Sequence, residues 1–326
     1  MYALATLAGW DHVQKAKYLS KKWANGSWQY TYAKPAAGDK PKAKPSAVPA
    51  KPKSYTLTPG GLPGGETWKH HFSGHPDGGG QPTKERAAVH AEIVKRALEA
   101  SPGEAKGKPT LYLMQGGSGA GKSSILRRMG LGDGAVIVNN DDVKVELPEF
   151  KKYLDDPAGK VPANASSDVH GESSFVMKQI REAAIKGRRD IIYDSNLNNV
   201  GIARNMIDRF KKLGYNIHLI TVHADSKTAL QRVADRHVKT GRGVPEWAVQ
   251  SSLRDMPGAF RGIKDLVDNY DLYTTTADEK SVTDPMTGKT DVTTVRHIAA
   301  ARTDAGTGHR KEDILHPALN ARIVGA

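Results

Sequence analysis

The chain has 326 residues, a formal net charge of +13 and no cysteine. Without thiols, disulfides, thiolate zinc sites and cysteine nucleophiles are excluded, and the cationic excess favours anionic partners such as a nucleotide or nucleic acid. No stretch is apolar for long enough to span a bilayer, and the first residues lack the basic start and apolar core of an export signal, so a cytoplasmic protein with one sizeable α/β domain and added segments is expected.

In chain order, residues 1–33 read as a small module. Residues 4–23 suit a helix, and Ser27-Trp-Gln-Tyr-Thr-Tyr32 alternates as a strand does. Trp10, Tyr18, Trp23, Trp28, Tyr30 and Tyr32 interleave with lysines, a mixture that serves a marginal mini-core, a partner-docking tag or base stacking. The run from Lys15 to Lys22, followed by Gly26 to Tyr32, loosely resembles short N-terminal modules of phage structural and morphogenesis proteins. That resemblance implies a phage virion protein as docking partner and association with the virion.

Residues 34–79 form a linker and an irregular lead-in. The lysine, proline and alanine repeat from Lys40 to Lys53 cannot build a core and should stay extended. His70, His71 and His75 sit close together beyond it, but carboxylate or thiolate companions at ligand spacing are missing. Packing over the next domain is therefore expected in preference to a metal site.

Residues 80–275 carry the α/β domain. Val89, Ile93 and Ala97 share one face of a helix that Ser101-Pro-Gly ends. Strands are predicted over residues 110–114, 135–139, 190–193, 216–222 and 272–275. Helices are predicted over 122–129, 172–186, 202–213 and 227–239. Short apolar strands alternating with longer amphipathic helices indicate a mostly parallel sheet with helices on both faces, the fold class of phosphate-loop NTPases and kinases. Residues 276–326 turn polar, with a turn at 284–288 and a short helix over 295–302 expected in this C-terminal extension.

The chemistry gathers at the strand ends. Gly116-Gly-Ser-Gly-Ala-Gly-Lys-Ser123 fits the phosphate-loop pattern, with an apolar strand before it and a helix after it. Gly116, Gly117, Ser118, Gly119, Ala120, Gly121, Lys122, Ser123 and Ser124 are the candidate nucleotide cradle. Its backbone N–H groups and the helix start attract phosphate. Lys122 would reach the β- and γ-phosphates of ATP, and the Ser123 hydroxyl would ligate Mg²⁺.

Asp141 and Asp142 come directly after the second strand, where a carboxylate can orient an incoming hydroxyl and accept its proton; Asp141 is the favoured base and its neighbour a cap or a contact to metal-bound water. Asp194 ends the third strand, placed either for the Mg²⁺ shell or, with Asn196, for the phosphoryl acceptor. Arg236, and Arg242 in a glycine-flanked segment suited to a closing lid, supply cationic side chains that can neutralise charge on a moving phosphoryl group. Arg232, one turn before Arg236, reads as a solvated surface residue. His170, just ahead of Gly171-Glu172, borders the acceptor pocket or caps a helix.

Taken together, Gln115 to Ser124, Val138-Asn-Asn-Asp-Asp-Val-Lys144, Val169-His-Gly-Glu-Ser-Ser174, Ile191-Ile-Tyr-Asp-Ser-Asn196, and Arg236 with Arg242-Gly-Val-Pro245 resemble zeta-toxin-type kinases over residues 80–275. The resemblance implies a phosphate-loop kinase fold, ATP as donor and a small-molecule hydroxyl as acceptor, the 3′-hydroxyl of UDP-N-acetylglucosamine in the studied toxins. It makes Lys122 the phosphate lysine, Asp141 the base, Arg236 and Arg242 the phosphate clamps, and Asp194, Asn196, Glu172 and His170 candidates for the acceptor side. An antitoxin is the partner that such a toxin implies. Aspartate at 194 and asparagine at 196 depart from the family's usual glutamate and threonine, both on the acceptor side. A polynucleotide or nucleoside kinase, and a phage structural or DNA-packaging protein with a vestigial or regulatory nucleotide site, are the alternative readings.

Overall fold

The computed structural model describes residues 18–24, 27–32, 54–101, 103–131, 134–283, 290–293, 295–304 and 306–324. The chain falls into two units, residues 1–50 and 51–326. In the first, β1 (Tyr18–Ala24) and β2 (Ser27–Tyr32) pair antiparallel, with Ala24 opposite Ser27. From residue 18 onward the expected helix is thus a strand. Asn25-Gly26 is the dipeptide that a two-residue hairpin favours, and that signal outranks helix propensity here. The other residues of the expected N-terminal module, on which the resemblance to phage proteins also rested, and the lysine-proline repeat 40–53 lie outside the described residues.

The second unit opens with β3 (Thr56–Thr58), α1 (Trp68–His71), a 3-10 turn (Pro76–Gly78) and α2 (Lys84–Glu99). Then come β4 (Thr110–Gln115), α3 (Lys122–Met129), β5 (Val136–Asn139), α4 (Asn140–Lys144), α5 (Pro148–Leu154), β6 (Lys160–Pro162) and α6 (Ala165–Asp168). They lead to α7 (His170–Lys186), β7 (Ile191–Asp194), α8 (Val200–Lys212), β8 (Asn216–His223), α9 (Ser226–Thr240), α10 (Glu246–Ile263) and β9 (Asn269–Thr274). The chain closes with β10 (Ala277–Thr283), β11 (Thr290–Thr293), β12 (Arg296–Thr303), β13 (Arg310–Ile314) and α11 (Pro317–Val324).

Seven strands form the main sheet in the order β13-β12-β9-β8-β4-β7-β5. From β9 to β5 all neighbours are parallel, while β12 and β13 extend the edge antiparallel. Leu111 and Leu113 of β4 point to one face, packed with Val176 and Ile180 of α7 and Ile207 and Phe210 of α8. Met114 joins the opposite cluster with Ile125 of α3, Ala229 and Val233 of α9, and Val249 and Leu253 of α10. A parallel strand buried on both faces reads as a near-continuous apolar run, as 111–114 does. None of the described helices is long and apolar enough to cross a membrane.

The expected strands and helices of residues 80–275 recur with shifts of a few residues at their ends, β9 starting three residues earlier than expected. The sequence reading holds no counterpart of α4, α5, β6, α6, β10, β11, β13 or α11, and two further elements differ. Residues 295–302, read as a short helix, lie almost wholly in strand β12, because pairing with β9 overrides the helix preference of an alanine-rich run. Residues 246–263, for which the sequence predicts no element, form an 18-residue helix with Pro257 inside it. The lead-in histidines are engaged singly: His70 with the Gly64 carbonyl at 2.8 Å, His71 with Glu149 at 2.9 Å, and His75 edge-on to Trp68.

Strands β8, β9 and β12 are also joined through Asp271, which is fully buried. Its carboxylate lies 2.6 Å from His218 Nε2, 2.7 Å from His297 Nε2 and 2.6 Å from Arg302 Nη2. Burial opposes ionisation, but hydrogen bonds from these three partners outweigh it and hold the carboxyl well below its ordinary range. Replacing Asp271 with asparagine leaves Arg302 without its anion and the two imidazoles without their shared carboxylate. The variant is expected to lose about 3 kcal/mol of stability in urea unfolding.

Candidate functional site

The register of the sheet sets the site. Met114 pairs with Asp194, and Asp194 pairs with Asn139, so β4, β7 and β5 end level with one another. The segments leaving these three ends therefore converge: the glycine loop after β4, Asn196 after β7, and α4 with Asp141 after β5. In open α/β sheets this carboxyl edge is where ligands bind.

The loop from Gly116 to Gly121 is fixed from several sides. The Gly116 N–H donates to the Asn196 carbonyl at 3.3 Å, and the Gln115 amide bridges Thr221 at 2.8 Å and the Leu197 carbonyl at 2.9 Å. Gly119 has φ +81°, and a Cβ there would stand 2.3 Å from the Ala229 carbonyl, so both backbone and space demand glycine. Arg232, expected to be a solvated surface residue, donates to the Gly119 carbonyl at 3.2 Å and to Thr275 Oγ1 and O at 2.7 Å each. Thr275 in turn donates to the Ala120 carbonyl. Lys122 opens α3, and its Nζ donates to the Gly116 carbonyl at 2.7 Å while standing 3.7 Å from Asp194 Oδ1. Ser123 is exposed and Ser118 and Ser124 are half-buried along the same turn.

Facing the loop, the Asn139 side chain accepts the Asp141 N–H at 2.8 Å and donates to Asp194 Oδ2 at 3.0 Å. One residue thus holds two carboxylates in a fixed relation. Lys144 Nζ lies 3.3 Å from Asp141 Oδ1 and 3.3 Å from Ser166 Oγ. Burial pushes Asp141 up, but Lys144, Arg242 and Arg236 outweigh it and hold the carboxyl below its ordinary value. Asp142 reaches solvent from the cleft floor yet is crowded by protein; that crowding, with Asp194 and Asp141 beside it, raises it to about 6 against the pull of Arg242. Asp194 is also raised, chiefly by burial, and its Oδ1 has no hydrogen-bond partner.

Arg236 and Arg242 bring their charges to the same cleft, as their effect on Asp141 records. Arg236 Nε and Nη2 and Arg242 Nε are buried without a hydrogen-bond partner. Burial, with Arg242 adding, pulls the Arg236 guanidinium below its usual value against the opposing carboxylates. Such donors suit an anion.

The structure therefore brings together the glycine loop, Lys122, Asp141, Asp194, Arg236 and Arg242. His170 is exposed at the start of α7, its Nδ1 3.4 Å from the Asn140 amide, which also donates to Ser174 Oγ at 2.8 Å. Asn196 contributes its carbonyl to the loop. Glu172 is not in the cleft. It is completely buried, paired with the Arg86 guanidinium and 2.6 Å from His90 Nε2, and Arg86 goes on to Glu149 at 2.7 Å. Apolar positions around Glu172 promised a helix face but gave no sign that Arg86, far away in sequence, would claim it. Asn139, Lys144, Arg232 and Thr275 are the residues that sequence reading missed; the one-turn spacing of Arg232 and Arg236 was the available signal.

Compared with known proteins, residues 94–283 match the family model described as Zeta toxin. The crystal structure of AvrRxo1-ORF1:-ORF2 with ATP is similar at 18% identity and TM-score 0.59, over 80% of this chain and 82% of that one. The AvrRxo1-ORF1:AvrRxo1-ORF2 structure with sulphate ions is similar at 20% identity and TM-score 0.57, over 83% and 80%. No curated protein sequence matches the chain. At these identities the structural likeness is one of fold, the α/β phosphate-loop kinase architecture.

This geometry carries two expected outcomes. In Gly119→Ala the added methyl meets the Ala229 carbonyl, and ATP affinity measured by calorimetry should fall by at least roughly 100-fold, since a 1 Å displacement of a cradle is enough for that. Glu172 is raised by burial but lowered further by His90 and Arg86, to about 2 from 4.5. Its stabilisation is complete above the unfolded value and is lost as pH falls from 4.5 towards 2. Glu172→Gln should therefore be about 3 kcal/mol less stable than wild type at pH 7, with the gap narrowing in urea titrations at pH 4 and 3.

Proposed function

The chain belongs to the zeta toxin family and is an ATP-dependent kinase, and from that premise we propose that it transfers the γ-phosphoryl group of ATP to a hydroxyl of a nucleotide sugar such as UDP-N-acetylglucosamine. The observation that carries this reading is the pairing of Asp141, held deprotonated by neighbouring cations, with a glycine loop and Lys122 across one cleft. Phosphoryl transfer needs positioning and charge neutralisation more than covalent help from the protein. The loop N–H groups and Lys122 bind the β- and γ-phosphates. Asp141, aimed by Asn139 and Lys144, accepts the proton of the acceptor hydroxyl as its oxygen attacks phosphorus. Arg236 and Arg242 donate to the phosphoryl oxygens, which gives their unpartnered N–H groups an acceptor.

Mg²⁺ fits the donors present: the exposed Ser123 hydroxyl at the start of α3 and the unpartnered Asp194 Oδ1 would hold it. When bound it neutralises charge on the β- and γ-phosphates. On the acceptor side, Asn140, Ser174 and His170 offer hydrogen bonds suited to a hydroxylated ring. The kinase chemistry is assigned to residues 80–275, with 276–326 as an extension. A partner protein of the antitoxin kind belongs to the same reading, by analogy with the two-protein AvrRxo1-ORF1:-ORF2 complexes.

The test is transfer from γ-labelled ATP to a panel of UDP-sugars, nucleosides and 5′-hydroxyl oligonucleotides. Label should appear on a UDP-sugar, and Asp141→Asn should cut the rate roughly 10²–10⁴-fold with ATP binding retained. Labelled oligonucleotide with bare UDP-sugars would replace this acceptor with a polynucleotide end.

A further inference from the structure

Arg242 was expected in a glycine-flanked segment suited to a closing lid, and that segment is packed. The loop reads Gly241-Arg242-Gly243, and both glycines press on a strand that precedes the family-matched residues. A Cβ at Gly241 would lie 3.1 Å from Tyr55 Cδ1, 3.1 Å from Leu154 Cδ2 and 3.0 Å from Val161 Cγ2. One at Gly243 would lie 3.3 Å from Leu57 Cδ1. The loop backbone thus runs at side-chain contact distance along β3.

The same strand grips both walls of the cleft. On the arginine side, the Tyr55 N–H donates to the Val238 carbonyl in the last turn of α9 at 2.8 Å. On the acceptor side, the Tyr55 hydroxyl donates to the Leu154 carbonyl at 2.7 Å, and the Thr56 N–H donates to the Gly159 carbonyl at 2.8 Å. β3 pairs in parallel with β6, and Ala163 N–H returns to the Thr58 carbonyl at 2.8 Å. That wall continues into α6, whose Ser166 meets Lys144 and so reaches Asp141. Tyr55 is itself buried.

A Gly-Arg-Gly loop has little of its own with which to hold a guanidinium. Fixing each backbone residue costs conformational entropy, and the flanking glycines carry no side chain that could offset it. We infer that residues 55–58 form a positioning strap, with Tyr55 and Leu57 as positioning residues that set the Arg242 loop against the acceptor wall. The catalytic half of this inference rests on the proposed role of Arg242; the packing half does not.

Full-length wild type, Tyr55→Ala, Tyr55→Phe, Leu57→Ala and Arg242→Ala proteins test it. Native trypsin digestion read by mass spectrometry reports cutting after Arg242, with cutting after Arg254 in α10 as the control for global unfolding. Tyr55→Ala and Leu57→Ala should be cut after Arg242 roughly 10-fold faster, and Tyr55→Phe at close to the wild-type rate, because the ring and the backbone bond remain. Their kcat should fall by roughly 10-fold or more with the KM for ATP little changed, and Tyr55→Phe should restore most of it. Unchanged cutting after Arg242 in both truncations overturns the strap. Faster cutting with unchanged kcat overturns the positioning role, and full activity of Arg242→Ala removes the catalytic premise instead. Should Tyr55→Ala be cut faster everywhere, Leu57→Ala decides.

Discussion

The site depends on arginines whose buried N–H groups the protein leaves without hydrogen-bond acceptors. Arg236 keeps two N–H groups and Arg242 one in this state, in a cleft where burial already lowers the Arg236 pKa. An unsatisfied buried polar group costs roughly 1–3 kcal/mol, more when charged. A fold accepts such a cost where a ligand removes it. A triphosphate is such a ligand, because each guanidinium can donate to its oxygens in parallel. The opposing carboxylates lower the cost in the meantime. Asp141 and Asp194 both act on Arg236, and Asp141 has its own proton affinity reduced in return.

Holding these charges apart, so that they influence one another without collapsing into ion pairs, falls to neutral residues. Asn139 spans Asp141 and Asp194 through one amide, and Thr275 spans Arg232 and the Ala120 carbonyl. Arg232 sits one turn from Arg236 on α9 and has the opposite fate, since it donates to Gly119 in the glycine loop and to Thr275, which holds that loop from behind. Two arginines at one helical spacing thus divide the work. One fixes the loop and the other keeps two unpartnered N–H groups in the cleft.

This division explains what the sequence made legible. Elements built on local pattern could be read: the buried run 111–114, the glycine loop and the apolar spacing of α7. Asp141 and Asp194 could be read because each sits at the end of an apolar strand. Long-range partners could not. Nothing near Glu172 announces Arg86 or His90, and its short acidic motif looked like acceptor chemistry. Helix α10 shows Val249, Leu253, Met256, Phe260 and Ile263 at helical spacing, but Pro257 breaks the pattern that periodicity reasoning trusts. There the helix passes from one core cluster to the other, Val249 and Leu253 packing on one and Phe260 and Ile263 on the other. Burial on both sides compensates for the hydrogen bond that proline cannot donate. Strand β12 fails for the converse reason: its alanines carry no strand preference, and pairing with β9 on one side and β13 on the other selects the extended form.

The departures from the family pattern at 194 and 196 can be weighed against the same geometry. Asp194 is tied to Asn139 and lies near Lys122, while Asn196 lends its carbonyl to the first loop glycine. Both positions thus support the nucleotide side, and a side chain one methylene shorter at 194 suits a carboxylate that stays close to the loop. Under the proposed function, discrimination among acceptors then falls on groups nearer α7. Asn140 donates to Ser174 and accepts from Ser173, and His170 stands exposed beside them. These are neutral amide and hydroxyl groups about a single imidazole, a set that reads hydroxyl patterns better than charge. An acceptor recognised there would be selected by the ring it presents, while the phosphoryl group of ATP would be left to the arginine wall across the cleft.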